Sequence, residues 1–150
     1  MGELSLQELN ASNIVAANTL TLKPGQEQFI APVSYSAAMA VSNPNTTWQR
    51  VVVDGDAVVG FIMGNFDPDA EHEEFRAILW RINVDADVQA QGIGTFAVHA
   101  LADEARARGL DKINVIWEPG ELGPEVFFLH SGFVPTGETQ YGEVIGELQL

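Results

Sequence analysis

Alternating apolar and polar positions predict strands at both ends of the chain. Residues 4–9 (LSLQEL) alternate as a half-buried strand does. Residues 133–137 (FVPTG) and 143–150 (EVIGELQL) predict two closing strands. Residues 48–53 and 57–64 are β-rich runs separated by Asp54-Gly55-Asp56. An Asp-Gly turn between apolar runs is the strongest short-range hairpin signal, so these two runs are predicted to pair antiparallel.

Continuous apolar runs and helical spacing fill the rest of the chain. Residues 75–84 (FRAILWRINV) and 112–117 (KINVIW) predict buried strands, and strict alternation in the first places Arg81 and Asn83 on one face beside Leu79. Asx or Ser starts and apolar spacing predict helices in 10–20 and in 25–41, with a break at Pro32. Residues 125–132 predict a short helix ending at glycine.

The helix predicted after the glycine-containing stretch has the clearest pattern. Its apolar positions fall on one face, and arginines and a glycine supply stop signals at residues 106–109. The resulting order, β-α-α-β-β-β-α-β-α-β-β, predicts a mixed sheet of the α/β or α+β class with flanking helices. With 150 residues, the chain is expected to form a single domain over 1–150. The apolar face comprises Ala97, Val98, Leu101, Ala102 and Ala105.

Charge excludes several classes of partner. The chain has 7 Lys+Arg against 21 Asp+Glu, a formal net charge of -14, which repels nucleic acid and anionic membrane and attracts cations. It has no cysteine, no hydrophobic signal run at its start and no apolar stretch long enough to span a bilayer, so a cytoplasmic location is expected. Its three histidines are scattered and lack ligand-like neighbours, so no metal site is expected.

The stretch from Gln89 to Gly94 (QAQGIG) joins a predicted strand to a predicted helix. A helix N-terminus has unpaired N–H groups and a partial positive charge, and glycines before it let a phosphate approach the backbone. The stretch therefore fits a pyrophosphate cradle. Gly92 and Gly94 also fit a tight turn with close helix–sheet packing. Neither the three-glycine dinucleotide fingerprint nor the P-loop pattern matches.

Residues 82–110 resemble the signature region of the GNAT N-acetyltransferase superfamily, whose pattern is Q/R-x-x-G-x-G/A after the fourth strand. Residues 126–138 (VFFLHSGFVPTGE) resemble the helix-to-strand segment of that family. Residues 22–40 and the Trp80-Arg81 pair are similar to bacterial spermine/spermidine acetyltransferases. The resemblance implies a mostly antiparallel sheet of six to seven strands, splayed between strands four and five and flanked by about four helices.

The resemblance also implies acetyl-CoA as cofactor and assigns residues to it. The backbone of Ile82, Asn83 and Val84 would pair with the pantetheine arm. The N–H groups from residue 90 to residue 95 would hold the pyrophosphate, with Gln89 closing the turn. Two aromatic side chains on the later helix would border the thioester and the pantetheine. The remaining cofactor residues are Ala90, Gln91, Gly92, Ile93, Gly94, Thr95, Phe127 and Phe128.

Two positions depart from the pattern of the family. Many members have a cation where this chain has Gln91, so we expect modest, salt-sensitive cofactor affinity. Many members have a general-acid tyrosine where this chain has Phe128, which has no proton to donate. A thiol with a pKa of about 8.5 still leaves tolerably as an anion. Tyr141 is a candidate replacement for the acid.

The acceptor side requires a proton acceptor and a way to attract an amine. The acidic stretch 67–74 offers five carboxylates, of which Glu74 is the candidate base, and it is also consistent with a solvated loop. Glu118, at the end of a predicted strand, is an alternative base. We therefore expect direct acetyl transfer to a primary amine of a small molecule, with a polyamine favoured, and a homodimer is compatible with the C-terminal strand. The alternatives are a catalytically lapsed CoA-binding or regulatory module and a protein N-acetyltransferase.

Overall fold

Seven strands form one sheet in the computed structural model, which describes residues 3–21, 44–89, 92–120 and 123–150. The predicted strands are confirmed, although β3 continues two residues beyond the predicted run, as far as Phe66, and β4 begins two residues later than the predicted run. The strands are β1 (Leu4–Glu8), β2 (Thr47–Asp54), β3 (Ala57–Phe66), β4 (Ala77–Val84), β5 (Lys112–Trp117), β6 (Val134–Glu138) and β7 (Val144–Gln149).

The sheet order is β1-β2-β3-β4-β5-β7-β6. Every neighbouring pair is antiparallel except β4 and β5. The predicted β2–β3 hairpin is confirmed, because Asp54 pairs with Ala57 and Gly55 takes the left-handed backbone that its turn requires (φ 62°). The predicted mixed, mostly antiparallel sheet is therefore what the structure contains.

Three α-helices lie in the described part of the chain: α1 (Ile14–Asn18), α2 (Ile93–Ala107) and α3 (Glu125–His130). Short 3-10 helices span Glu73–Phe75, at the end of the acidic stretch, and Ala86–Val88, just after β4. The helix predicted in 25–41 lies outside the described residues. The predicted apolar face of α2 is confirmed, since all five of its members are buried.

Helix α2 packs closely on β3 because that strand has glycine where a side chain would meet the helix. A Cβ added at Gly64 would lie 2.6 Å from Cδ1 of Leu101, and one added at Gly60 would lie 3.1 Å from Cγ2 of Ile93. The main core, with Leu79, Ile113, Val115 and Trp117, lies between this helix and the sheet. A smaller cluster on the opposite face includes Val51, Phe61 and Met63, with Trp80 packed against it.

A β-bulge at Trp80 decides the course of β4. Met63 pairs with Arg81 but Gly64 pairs with Leu79, so Trp80 is an extra residue in β4. The strict alternation that placed Leu79 on the face of Arg81 and Asn83 is therefore wrong. Leu79 packs in the main core together with Ile82 and Val84, three and five residues further on, because the bulge shifts the alternation by one residue.

Candidate active site

Strands β4 and β5 separate soon after they meet. They pair only at Ile78 with Asn114 and at Leu79 with Val115, so the following residues of both strands diverge. A bulge bends the strand that contains it, and the bulge at Trp80 lies directly after the last paired residue of β4. The predicted splay between the fourth and fifth strands is therefore present.

The hydrogen-bond alternation of β4 determines which backbone groups face this opening. The N–H of Asp85 donates to the carbonyl of Val59 at 3.0 Å, and Asn83 pairs with Phe61 two residues earlier. In an antiparallel pair the N–H and C=O groups of alternate residues point to opposite sides. The groups of Asn83 are therefore directed at β3, and those of Ile82 and Val84 are directed at the opening.

The turn from β4 into α2 is closed by Gln89, whose Nε2 donates to the carbonyl of Val84 at 2.9 Å. Gly92 is the N-cap of α2 with φ 84°, a conformation that favours glycine. Ile93 is buried under the helix, whereas Thr95 is exposed on its first turn. Ala90 and Gln91, which were predicted to contribute N–H groups, lie outside the described residues.

Gly94 lies directly beneath Phe127 of α3. A Cβ at Gly94 would lie 2.9 Å from Cε1 and 3.0 Å from Cζ of the Phe127 ring, and 3.7 Å from Cγ2 of Val84. The half-buried ring therefore bridges α3 and the first turn of α2 beside the end of β4. Both glycines of the motif thus have structural reasons, a left-handed N-cap at Gly92 and a close aromatic contact at Gly94.

Phe128, which the resemblance placed where many family members have a tyrosine, lies in the core. Its side chain is 3% exposed. The ring stacks on Trp117 at a centroid distance of 5.5 Å and meets Phe133 edge-on at 5.6 Å. Trp117 is buried and donates from Nε1 to Oε2 of Glu125 at 2.8 Å.

A cavity of about 570 Å³ lies on the sheet face opposite α2. Its apolar floor comes from β4, β5 and β7, through Ile78, Trp80, Ile116 and Ile145. Trp80 and Ile116 directly follow the last paired residues of β4 and β5. The cavity therefore begins at the point where the two strands diverge, so the opening and the cavity meet there.

Carboxylates dominate the charged lining of this cavity. Glu74 comes from the 3-10 helix before β4, and Glu138 and Glu143 flank the β6–β7 turn. Arg81 and His72 also line it. With histidine neutral, the lining carries three negative charges and one positive charge, which favours a cationic ligand.

Of the three predicted catalytic residues, two lie in the cavity lining. Glu74 and Tyr141 are brought together there although they are far apart in sequence. Tyr141 is 81% exposed, on a turn closed by the N–H of Thr139 donating to the carbonyl of Glu143 at 2.8 Å. Glu118 is exposed just after β5 and is outside the lining.

The sequence interpretation missed Glu138 and Glu143. Both flank a short polar turn between two predicted strands, a signal that identifies a hairpin but not its neighbours. Only the pairing of β7 with β5, in which Val144 lies opposite Trp117, brings that turn to the diverging end of β5.

An ion-pair network holds the 3-10 helix that contains Glu74. The Nζ of Lys112 lies 2.6 Å from Oε1 of Glu73 and 3.4 Å from Oε2 of Glu147. The hydrogen bond from Lys112 lowers the pKa of Glu73, and the same bond raises the pKa of Lys112. Lys112 lies in β5 and Glu147 in β7, so this network ties the 3-10 helix that contains Glu73 and Glu74 to both strands.

Two features are absent from the residues that the structure describes. No helix there is both long and apolar enough to cross a membrane. No group of three or more His, Asp or Glu side chains in the same ranges is arranged to hold a metal ion.

Comparisons with known proteins converge on one family. The family model "Acetyltransferase (GNAT) family" matches residues 16–121. Mycothiol acetyltransferase of Beutenbergia cavernae is 31% identical over 101 residues, 67% of this chain, although the chain spans only 32% of the length of that relative.

Solved structures show the same fold at low identity. PaiA N-acetyltransferase of Thermoplasma acidophilum, in complex with coenzyme A, has a TM-score of 0.73 at 11% identity and covers 99% of both chains. The ribosomal-protein-S18-alanine N-acetyltransferase of Escherichia coli has a TM-score of 0.69 at 19% identity, over 98% of this chain and 94% of that one.

Proposed function

Because the chain belongs to the GNAT family of acetyltransferases, we propose that it transfers acetyl from acetyl-CoA to a primary amine of a small molecule. The observation that carries this proposal is the meeting of two features at one point. In the opening between β4 and β5, the β4 edge at Ile82 and Val84 is paired with no strand of the described sheet, and the carboxylate-lined cavity begins where those strands diverge. A cofactor and an amine entering from opposite sides would meet there.

The residues present fit coenzyme A. Along the open edge of β4, backbone groups of Ile82 and Val84 would pair with pantetheine amides as an added strand does. Asn83 is left out of this pairing because its backbone groups are directed at β3. The N–H groups from Gly92 to Thr95 would hold the diphosphate, with Ala90 and Gln91 before them.

Acetyl-CoA supplies a thioester carbonyl that a neutral amine attacks, so a C–N bond forms as the C–S bond breaks. Whichever of the Ile82 and Val84 N–H groups does not pair with the pantetheine would stabilise the charge that develops on the carbonyl oxygen. Glu74 would take a proton from the ammonium form of the acceptor, directly or through water. Tyr141 would supply a proton for the departing thiolate, since Phe128 has none.

The acceptor that fits the cavity best is a polyamine. An apolar floor suits a methylene chain, and three carboxylates around it suit additional ammonium groups. The relatives are named for different acceptors, so this choice rests on the cavity of this chain.

Thiol release from acetyl-CoA, followed over a panel of amines, tests the proposal. Spermidine should exceed butylamine in kcat/KM by about tenfold or more. The double variant that combines Glu138→Gln with Glu143→Gln should reduce that preference. Glu74→Gln should lower kcat by roughly 10²–10⁴. Glu118→Gln is the matched control, because that exposed carboxylate is outside the cavity, and it should leave kcat unchanged. Equal losses in both variants would refute the assignment of the base.

The buried, hydroxyl-free Phe128 supports a second candidate, a CoA-binding or regulatory module without catalysis. The measurement that separates the two is activity across the amine panel alongside binding of coenzyme A. Binding with no thiol release on any amine would favour the module. Phe128→Tyr should change the rate or pH profile of an active enzyme, whereas a pure sensor would remain silent.

A further inference from the structure

Thr21 and Asp85 are joined by contacts that span 64 positions of sequence. Oδ1 of Asp85 accepts from the N–H of Thr21 at 3.0 Å and from its Oγ1 at 2.7 Å. The carbonyl of Thr21 in turn accepts from the N–H of Ala86 at 2.9 Å. We call this set of hydrogen bonds the Thr21–Asp85 clamp.

The clamp holds the beginning of the turn that leads to α2. Asp85 is the first residue after β4, and its own N–H continues the ladder to the carbonyl of Val59. The N–H of Val88 then bonds the carbonyl of Asp85 at 3.0 Å. At the far end Gln89 bonds back to Val84. The clamp and Gln89 therefore fix the two ends of the turn that delivers the chain to the N-cap of α2.

Hydrogen bonds to an ionised acceptor are stronger than neutral ones. The two hydrogen bonds from Thr21 lower the pKa of Asp85 below its ordinary value, so the carboxylate is ionised at neutral pH. If the turn is displaced, a smaller fraction of the molecules can bind a ligand at the turn, and the apparent affinity for that ligand falls by the same factor. Contacts that a ligand makes along β4, which precedes the clamp, would be affected less.

We propose that Thr21 and Asp85 are positioning residues that set affinity for the diphosphate part of coenzyme A. This rests on the proposed function, because it presumes that coenzyme A is held at the start of α2. It assigns the clamp to the diphosphate and not to the pantetheine, which would lie along Ile82 and Val84.

Calorimetric titration of the full chain with two ligands tests this. One is coenzyme A, and the other is 3′-phosphoadenosine 5′-diphosphate, which has the diphosphate but no pantetheine. Asp85→Ala and Thr21→Val should each raise the Kd of both ligands, and within each variant the factor should be similar for the two ligands. For Asp85→Ala this factor should be about tenfold. Thr21→Ser keeps the hydroxyl and should restore near-normal affinity. Asp103→Ala, which removes an exposed ion pair with Arg106 on α2, is the matched control and should change neither Kd.

Three outcomes would overturn the proposal. Unchanged Kd values in Asp85→Ala and Thr21→Val, with wild type binding coenzyme A, would refute the clamp alone. Weaker binding of coenzyme A without weaker binding of the diphosphate ligand would place the effect on the pantetheine. A wild-type chain that does not bind coenzyme A would refute the proposed function, and the clamp proposal with it. Circular dichroism on each variant separates lost affinity from lost folding.

Discussion

Replacing Gly94 by alanine tests whether the second glycine of the motif is required by the ring of Phe127. The added Cβ would lie 2.9 Å from Cε1 and 3.0 Å from Cζ of that ring, well inside the roughly 3.5–4.0 Å at which carbon atoms make favourable contact. The ring has limited room to retreat because its centroid lies 5.4 Å from that of Phe128, which is itself packed in the core.

Two opposing effects set the magnitude. Overpacking costs about 1–3 kcal/mol, whereas alanine in place of glycine inside a helix gains about 1 kcal/mol. We therefore expect Gly94→Ala to lower the free energy of unfolding by about 1 kcal/mol. In a Phe127→Leu background the clash is relieved and the helical gain remains, so the same substitution should become stabilising.

Urea unfolding followed by circular dichroism measures both changes. Gly137→Ala is the matched control, because that glycine lies in exposed β6, has no atom within 4 Å of an added Cβ and needs no left-handed backbone. It should leave stability unchanged or raise it slightly. The reasoning fails if Gly94→Ala is as stable as Gly137→Ala, or if its effect is the same with and without Phe127.

Three further predictions follow from individual contacts. The pKa of Asp85 is lowered in the folded protein, so the stability that this carboxylate contributes is present above pH 3.8, its ordinary pKa, and is lost as the pH falls through the pKa of the folded state. Asp85→Asn should flatten this acid dependence in thermal unfolding. The pKa of Glu73 is also lowered, by its hydrogen bond with Lys112, so that ion pair contributes stability at neutral pH. Lys112→Met should therefore destabilise the protein at neutral pH and differ progressively less from wild type as the pH falls below 4.5. Melting curves at several pH values would check this. Tyr141→Phe should lower kcat by roughly 10² without moving the unfolding midpoint, because the side chain is exposed; an unchanged kcat would remove Tyr141 as the acid.

Much of the fold could be predicted because its signals are local. The Asp-Gly turn specified the β2–β3 hairpin, and the apolar spacing from Ala97 to Ala105 specified the buried face of α2. The resemblance to the family predicted the splay between the fourth and fifth strands. The bulge at Trp80 escaped prediction because a single extra residue is defined only by the partner strand, and it moved Leu79 to the other face.

The candidate site divides in the same way. Gln89, Gly92 and Gly94 are adjacent in the chain, so their position between a strand and a helix was readable from the sequence. Glu138 and Glu143 reach the cavity only through the pairing of β7 with β5. Phe128 could be identified as lacking a hydroxyl, but its burial against Trp117 depends on how α3 packs.

By itself, the sequence determined the periodicity of each strand and helix, the turn chemistry, the acidic charge and the glycine motif, because these depend on residues within a few positions of one another. Tertiary structure decided the bulge in β4, the contact of Phe127 with Gly94, the Thr21–Asp85 clamp and the joining of Glu74 with the β6–β7 turn. Each of these joins segments far apart in sequence, and such contacts are fixed only when strand register and helix packing bury the core as a whole.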